Sequence, residues 1–184
     1  MNPVVPLVAK FLAILTVLTD IGILAYFGSF VVSLLSKPIK KLREATLQNI
    51  APYARILAFM VPLTAMGGSL FYSDVAKYTP CILCWWQRIF MYPQTVLIGM
   101  GILKNDTLIA DYSTGLSAVG GAIALYHYYI QLGGASFFSC EQIGYSASCS
   151  QRFTMEFGYV TIPMMALTAF IAIILLMRIS KRVK

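Results

Sequence analysis

The chain reads as an all-α polytopic membrane protein, a four-helix transmembrane bundle plus one extra N-terminal transmembrane helix. Three observations predict this. First, hydrophobic residues make up 59% of the sequence and charged residues only 11%. Soluble domains average roughly 25% charged, so too few charges remain here to coat a globule, and lipid must solvate most of the surface. Second, charge-poor stretches recur at the roughly 17 to 25 residues that a helix needs to cross a bilayer core. Third, the basic residues sit in short clusters beside these stretches, as topology signals and contacts for anionic lipid do. The net charge of +7 is therefore not read as a nucleic-acid footprint.

Each element follows from the charge pattern. Between Lys10 and Lys37 the only charge is Asp20, which predicts a helix near 10–35. A cleavable signal peptide is the rival reading for this segment, but its apolar run is too long and no small-residue cleavage site follows cleanly. No charge interrupts Arg55 to Asp74, a helix near 55–73. From Cys81 to Leu103 only Arg88 is charged, a helix near 82–103. Further helices are expected near 111–132 and 157–178. The chain then divides into an extra helix (1–36), a basic connection (37–54), a four-helix bundle (55–178) and a basic tail (179–184). Small residues four apart in the fourth span, Ser117/Gly121, Ala118/Ala122 and Gly120/Ala124, allow close helix approach.

Ten of the lysines and arginines fall on one side of these spans and four on the other. The richer side should be cytoplasmic, with the N-terminus outside and the C-terminus inside. Both local cysteine pairs, Cys81/Cys84 and Cys140/Cys149, then lie outside the cytoplasm in separate loops. That compartment is oxidising, and an even count in two local pairs fits two switchable disulfides. Thr79 and Pro80 suit the cap and first turn of a helix. Cys81 and Cys84 would sit at its positive end, where a thiol's pKa falls. Trp85 and Trp86 fit an interfacial belt, and Arg88 lies one turn deeper on the face of Cys84. A cation there needs a partner: a thiolate, a lipid phosphate or an oxygen of a bound redox ring. Inert staples remain an alternative. Zinc is disfavoured, because eight residues separate Cys140 from Cys149 and the one histidine lies within a span; no metal site is expected.

The run Pro80-Cys81-Ile82-Leu83-Cys84-Trp85-Trp86-Gln87-Arg88-Ile89-Phe90-Met91-Tyr92-Pro93 resembles the signature of the disulfide bond formation protein B (DsbB) family, in particular its BdbC-type branch. Phe157-Gly158-Tyr159-Val160-Thr161-Ile162-Pro163 is similar to the same branch, and the resemblance covers roughly residues 55 to 178. It implies a quinone, ubiquinone or menaquinone, within a four-helix bundle in the bacterial plasma membrane. It also implies a thioredoxin-like extracytoplasmic dithiol oxidase (DsbA- or BdbD-like) as partner. Carried onto this chain, Cys81 and Cys84 are the quinone-coupled pair, with Cys84 facing the ring and forming a thiolate–quinone adduct or charge-transfer species. Arg88 holds a quinone oxygen. Cys140 and Cys149 exchange with the partner, Cys140 being attacked first. The short loop between them suits the BdbC-type branch. The helix near 10–35 is extra to the family's four spans.

Other residues carry weaker expectations. His127 is a candidate proton relay to the quinone, weighed against a hydrogen-bonded packing histidine. Asp20 is a functional candidate as an acid within a span, with no partner visible in the sequence. Tyr92 and Pro93 read as a belt residue and a kink. Phe137 and Phe138 would rest the second loop on the membrane. Two rival functions stand beside the oxidase. One is a vitamin K epoxide reductase-like enzyme, disfavoured because there the loop pair precedes the CxxC. The other is a structural protein with two inert disulfides.

Overall fold

A computed structural model describes residues 3–136 and 147–182 of the protein. Six helices account for most of them: α1 (Val4–Leu35), α2 (Lys37–Ile50), α3 (Ala54–Leu70), α4 (Ile82–Leu103), α5 (Ile109–Gln131) and α6 (Ile162–Ser180). Five are long. The sixth, α2, occupies the basic connection and runs through a 3₁₀ turn, Ala51–Tyr53, into α3. Ser36, with extended backbone, separates α1 from α2, and a proline opens the second helix. By length and composition α1, the continuous Lys37–Val75 rod and α6 are each apolar enough to cross a membrane. α4 and α5 have comparable length but carry polar side chains, and they turn these inward: Gln87 and Gln94 from α4, and Ser113, Ser117 and His127 from α5, are buried.

The core forms where α3, α4, α5 and α6 meet, around Ile98, Ala124, Phe170, Ile173 and Met177. The small stripe expected on the fourth span is used as such. A Cβ at Gly120 would lie 2.3 Å from the Phe170 ring, so only glycine lets α5 lie this close to α6. Between α4 and α5 the Ser117 hydroxyl donates to Gln94 Oε1 at 3.0 Å, and Gln94 Nε2 donates to the Phe90 carbonyl at 2.8 Å, next to Pro93 inside the helix. Both polar side chains are thereby satisfied away from water, as an apolar solvent requires.

At the basic end, α1 and α2 pack together, with the Arg43 guanidinium 5.2 Å from the centroids of both Tyr26 and Phe30. Leu47, Ala51, Ala54 and Ile179 tie this corner to α6. α1 also packs on α6, and Leu12 lies over Gly68 of α3, where a Cβ would approach its Cδ1 to 2.8 Å. Three boundaries differ from expectation. α1 begins at Val4 and not near 10, because Lys10 is an exposed residue within the helix and does not mark its start. α3 is followed by a π turn, Phe71–Val75. The last helix begins at Ile162, not 157, because Phe157 (φ 52) and Gly158 (φ 79) are left-handed and close a tight turn in which the Glu156 and Val160 backbones bond each other. No right-handed helix can run through two such residues.

Candidate redox site

The site grows from the first turn of α4. Cys81 has extended backbone and caps the helix with its own sulfur, which accepts the Cys84 N–H at 3.4 Å. This corrects the expectation that Thr79 caps and Pro80 begins the helix; both precede it. The i, i+3 spacing then brings the two sulfurs to 3.2 Å. Both are free thiols, Cys81 buried and Cys84 partly so.

Behind Cys81 lies a polar cluster. His127, fully buried on α5, places Nε2 3.5 Å from Cys81 Sγ and 3.1 Å from the Cys149 carbonyl oxygen. Its Nδ1 is 2.9 Å from Gln87 Nε2. The carbonyl can only accept, so Nε2 carries the proton, and Nδ1 accepts from the Gln87 amide. Cys81 Sγ thus collects donors from the Cys84 backbone and the His127 ring. The hydrogen bond with the Cys84 thiol, and then those with His127, hold the Cys81 thiol below its ordinary range against the opposing effect of burial. Cys149 is disulfide-bonded and packs with Cys81 and Ile130 in one small cluster. Its segment is fastened to the end of α5: Arg152 Nε donates to the Gln131 carbonyl at 2.8 Å, and Gln131 Nε2 donates to the Gln151 carbonyl at 3.0 Å. Cys140, Phe137 and Phe138 lie outside the described residues.

Ligand atoms of Cys81, Cys84 and His127 fall within 4.8 Å of one another, a grouping that a histidine inside a span did not suggest. Two thiolates on tetrahedral zinc, with Zn–S near 2.3 Å, stand about 3.8 Å apart. The 3.2 Å here is the shorter spacing of a dithiol poised to close.

Beyond this cluster Cys84 lines a cavity of about 430 Å³, which Cys81 and His127 do not line. This is within the size range of small-molecule sites. It runs along α6 from Ile162 to Leu176, about 21 Å at 1.5 Å per residue. Ser69, Ser73, Tyr78, Thr79 and Arg88 line it near Cys84, whereas Leu57, Met60, Ala172 and Leu176 line the remainder. Arg88 Nη2 donates to Ser73 Oγ at 2.6 Å, and its Cζ stands 5.2 Å from the Trp85 ring. Ser73 belongs to the π turn, a distortion that recurs at functional sites. Tyr92, expected as a belt residue, lines the chamber and donates to Ser69 Oγ at 3.0 Å. Tyr78 stacks between Tyr72 and Phe153, at centroid distances of 5.7 and 4.8 Å, and the three rings wall the chamber near the cysteines. The shape and polarity suit a long apolar molecule with a compact polar head beside Cys84 and Arg88.

Sequence reasoning missed Gln87, Ser73 and this aromatic stack. Gln87 carried a signal, as an uncharged polar residue inside a span. Asp20, left without a partner, has two: Thr168 Oγ1 at 2.7 Å and the Tyr159 hydroxyl at 3.1 Å, both donating to its carboxylate.

Comparison with known proteins agrees with the motif. Residues 52–179 match the family described as disulfide bond formation protein DsbB. The chain is 41% identical over 121 residues to a probable disulfide formation protein C 1 of Bacillus anthracis, covering 66% of this chain and 86% of that one. It is 36% identical over 124 residues to disulfide bond formation protein C of Bacillus subtilis strain 168, covering 67% and 89%. An SPbeta prophage-derived disulfide bond formation protein B of the same strain is 39% identical over 115 residues, covering 62% and 76%. No solved structure matches. The chain belongs to the DsbB family of disulfide bond formation proteins, as a BdbC-type member.

Proposed function

We propose that this disulfide-bond-formation oxidoreductase reoxidises a thioredoxin-like dithiol protein outside the cytoplasm and passes the electrons to a membrane quinone, ubiquinone or menaquinone, seated in the chamber beside Cys84. The observation that carries the reading is the placement of one CxxC between two environments. Cys81 packs against Cys149, and Cys84 lines an apolar chamber with Arg88.

The residues divide the work accordingly. The partner's dithiol reduces the Cys140–Cys149 disulfide through a mixed disulfide, giving up two electrons and two protons. A thiolate of that reduced pair, Cys149 by its position, then attacks Cys81 of the oxidised CxxC and expels the Cys84 thiolate. Cys140 attacks Cys149 in turn and releases Cys81. The His127 Nε2–H, 3.5 Å from Cys81 Sγ, stabilises the leaving thiolate, as a hydrogen bond to the charged form does. Such exchange needs a thiolate, an accessible sulfur and a favourable potential difference. Bound beside Cys84 and Arg88, a quinone would supply the two-electron, two-proton oxidation that returns Cys81 and Cys84 to a disulfide. Arg88 supplies positive charge and donors for a carbonyl or phenolic oxygen, while the apolar walls exclude water. The family match supports the oxidoreductase class, and the basic residues at the Lys37–Arg43 corner and the tail support a cytoplasmic basic end in a bacterial plasma membrane, with the N-terminus outside.

The test is turnover. Purified protein, a reduced thioredoxin-like dithiol protein and a short-chain quinone should give quinone reduction, followed by absorbance, that is absent from Cys84→Ser. A folded protein that leaves several quinones unreduced would favour two inert disulfides instead.

A further inference from the structure

We propose that α1, which lies outside the family match of residues 52–179, is a wall of the quinone chamber in this protein, with Asp20 latching it to α6. This rests on the quinone reading of the chamber and extends it to a helix to which the family assigns no role.

Three observations meet here. Leu12, Leu15, Thr16 and Thr19, spaced as one helical face, line the chamber together with Arg88 and residues of α3 and α6. α1 packs against α6 and touches α3 where Leu12 covers Gly68, which leaves space between the two helices beyond that contact. Asp20, one position past Thr19, accepts from Thr168 of α6 at 2.7 Å and from Tyr159 at 3.1 Å. A carboxylate in an apolar span is costly unless its oxygens are bonded, so its two donors fix where α1 sits. Without α1 the groove between α3 and α6 would face lipid along its length. With it, an isoprenoid quinone is held between Leu12 and Leu15 on one side and α3 and α6 on the other. The lipid-facing side of α1 is distinct: Ile14 and Leu18 are exposed and do not line the chamber.

The experiment uses the full chain in detergent and a short-chain quinone carrying a photoactivatable diazirine on its tail. Labelled residues are mapped by mass spectrometry, and quinone affinity is measured separately by quenching of tryptophan fluorescence. Label on the α1 peptide containing Leu12–Thr19, together with α3 or α6, is expected. Leu15→Phe, which fills the chamber, should weaken binding about tenfold or more and move label off α1, while Leu18→Phe on the lipid side should do neither. Asp20→Ala tests the latch: it should lower both affinity and α1 labelling, whereas a merely structural Asp20 would lower thermal stability and leave affinity unchanged. Label confined to α3 and α6, with affinity equal in Leu15→Phe, Asp20→Ala and the parent, overturns the proposal. Absence of any quinone binding by the parent protein overturns the quinone reading itself, and this inference with it. If Leu15→Phe does not fold, Asp20→Ala and the parent labelling pattern decide alone.

Discussion

The two sides of the first turn of α4 differ sharply. On the Cys81 side lie His127, Gln87 and Cys149, with hydrogen bonds between 2.9 and 3.5 Å, and Ile130 packs beside them. On the Cys84 side, apart from a polar end with Arg88 and several hydroxyls, the wall is hydrocarbon. A helical CxxC is short enough for its sulfurs to touch, at 3.2 Å, yet it crosses this boundary. The difference teaches how one dithiol can serve two reactants. Thiol exchange needs a thiolate and a stabilised leaving group, and the polar side provides both. A lipid-soluble oxidant needs an apolar slot with a localised positive charge, and the other side provides that.

Variants on either side should therefore fail differently. The largest effect is expected for Cys84→Ser, which removes the one sulfur of the pair on the chamber wall; quinone reduction should fall to background while the fold is retained, as judged by thermal unfolding. Arg88→Ala should weaken quinone binding about ten- to a hundredfold, which is roughly 1.4 to 2.8 kcal/mol, and leave exchange between the cysteine pairs unchanged in a quinone-free assay. Loss of exchange with intact quinone affinity would erase the proposed division. His127→Ala should do the converse. It removes a hydrogen bond that holds the Cys81 thiol down, so thiolate absorbance in a Cys140→Ser/Cys149→Ser background should appear at higher pH than in the same background with His127. The same hydrogen bond stabilises Cys81 as the leaving thiolate, so without it exchange through Cys81 slows, while quinone affinity stays. The smallest effect concerns neither side. Gly120→Ala forces a Cβ into the Phe170 ring and should destabilise the bundle by roughly 1 to 3 kcal/mol, lowering the unfolding temperature with catalysis per folded molecule unchanged.

Much of this was legible in the sequence because it is local. Charge-free runs mark helices, and a CxxC with an arginine four residues on defines one helical face. The cap was misread because Thr79 and Cys81 compete for one role, and the extended backbone at Cys81 decides it. The last helix was begun too early because Phe157 in a left-handed conformation leaves no trace in composition. The remainder is long-range. His127 meets Cys81 across 46 positions, and Asp20 meets Thr168 across 148; no periodicity or spacing rule reaches so far. The inward polar faces of α4 and α5 show the same limit from the other direction. Their serines and glutamines dilute the apolar signal that marks a span, and only their pairing, Ser117 to Gln94, explains how they are accommodated among helices.

The most direct test of the division between the two sides is a single half-reaction. Cys140→Ser/Cys149→Ser protein, with Cys81 and Cys84 reduced, would be mixed anaerobically with a stoichiometric short-chain quinone, and free thiols counted as the quinone absorbance falls. Loss of two thiols per quinone reduced, in a protein with no loop pair, is the expected result. Thiols that persist beside a bound, unreduced quinone would contradict it.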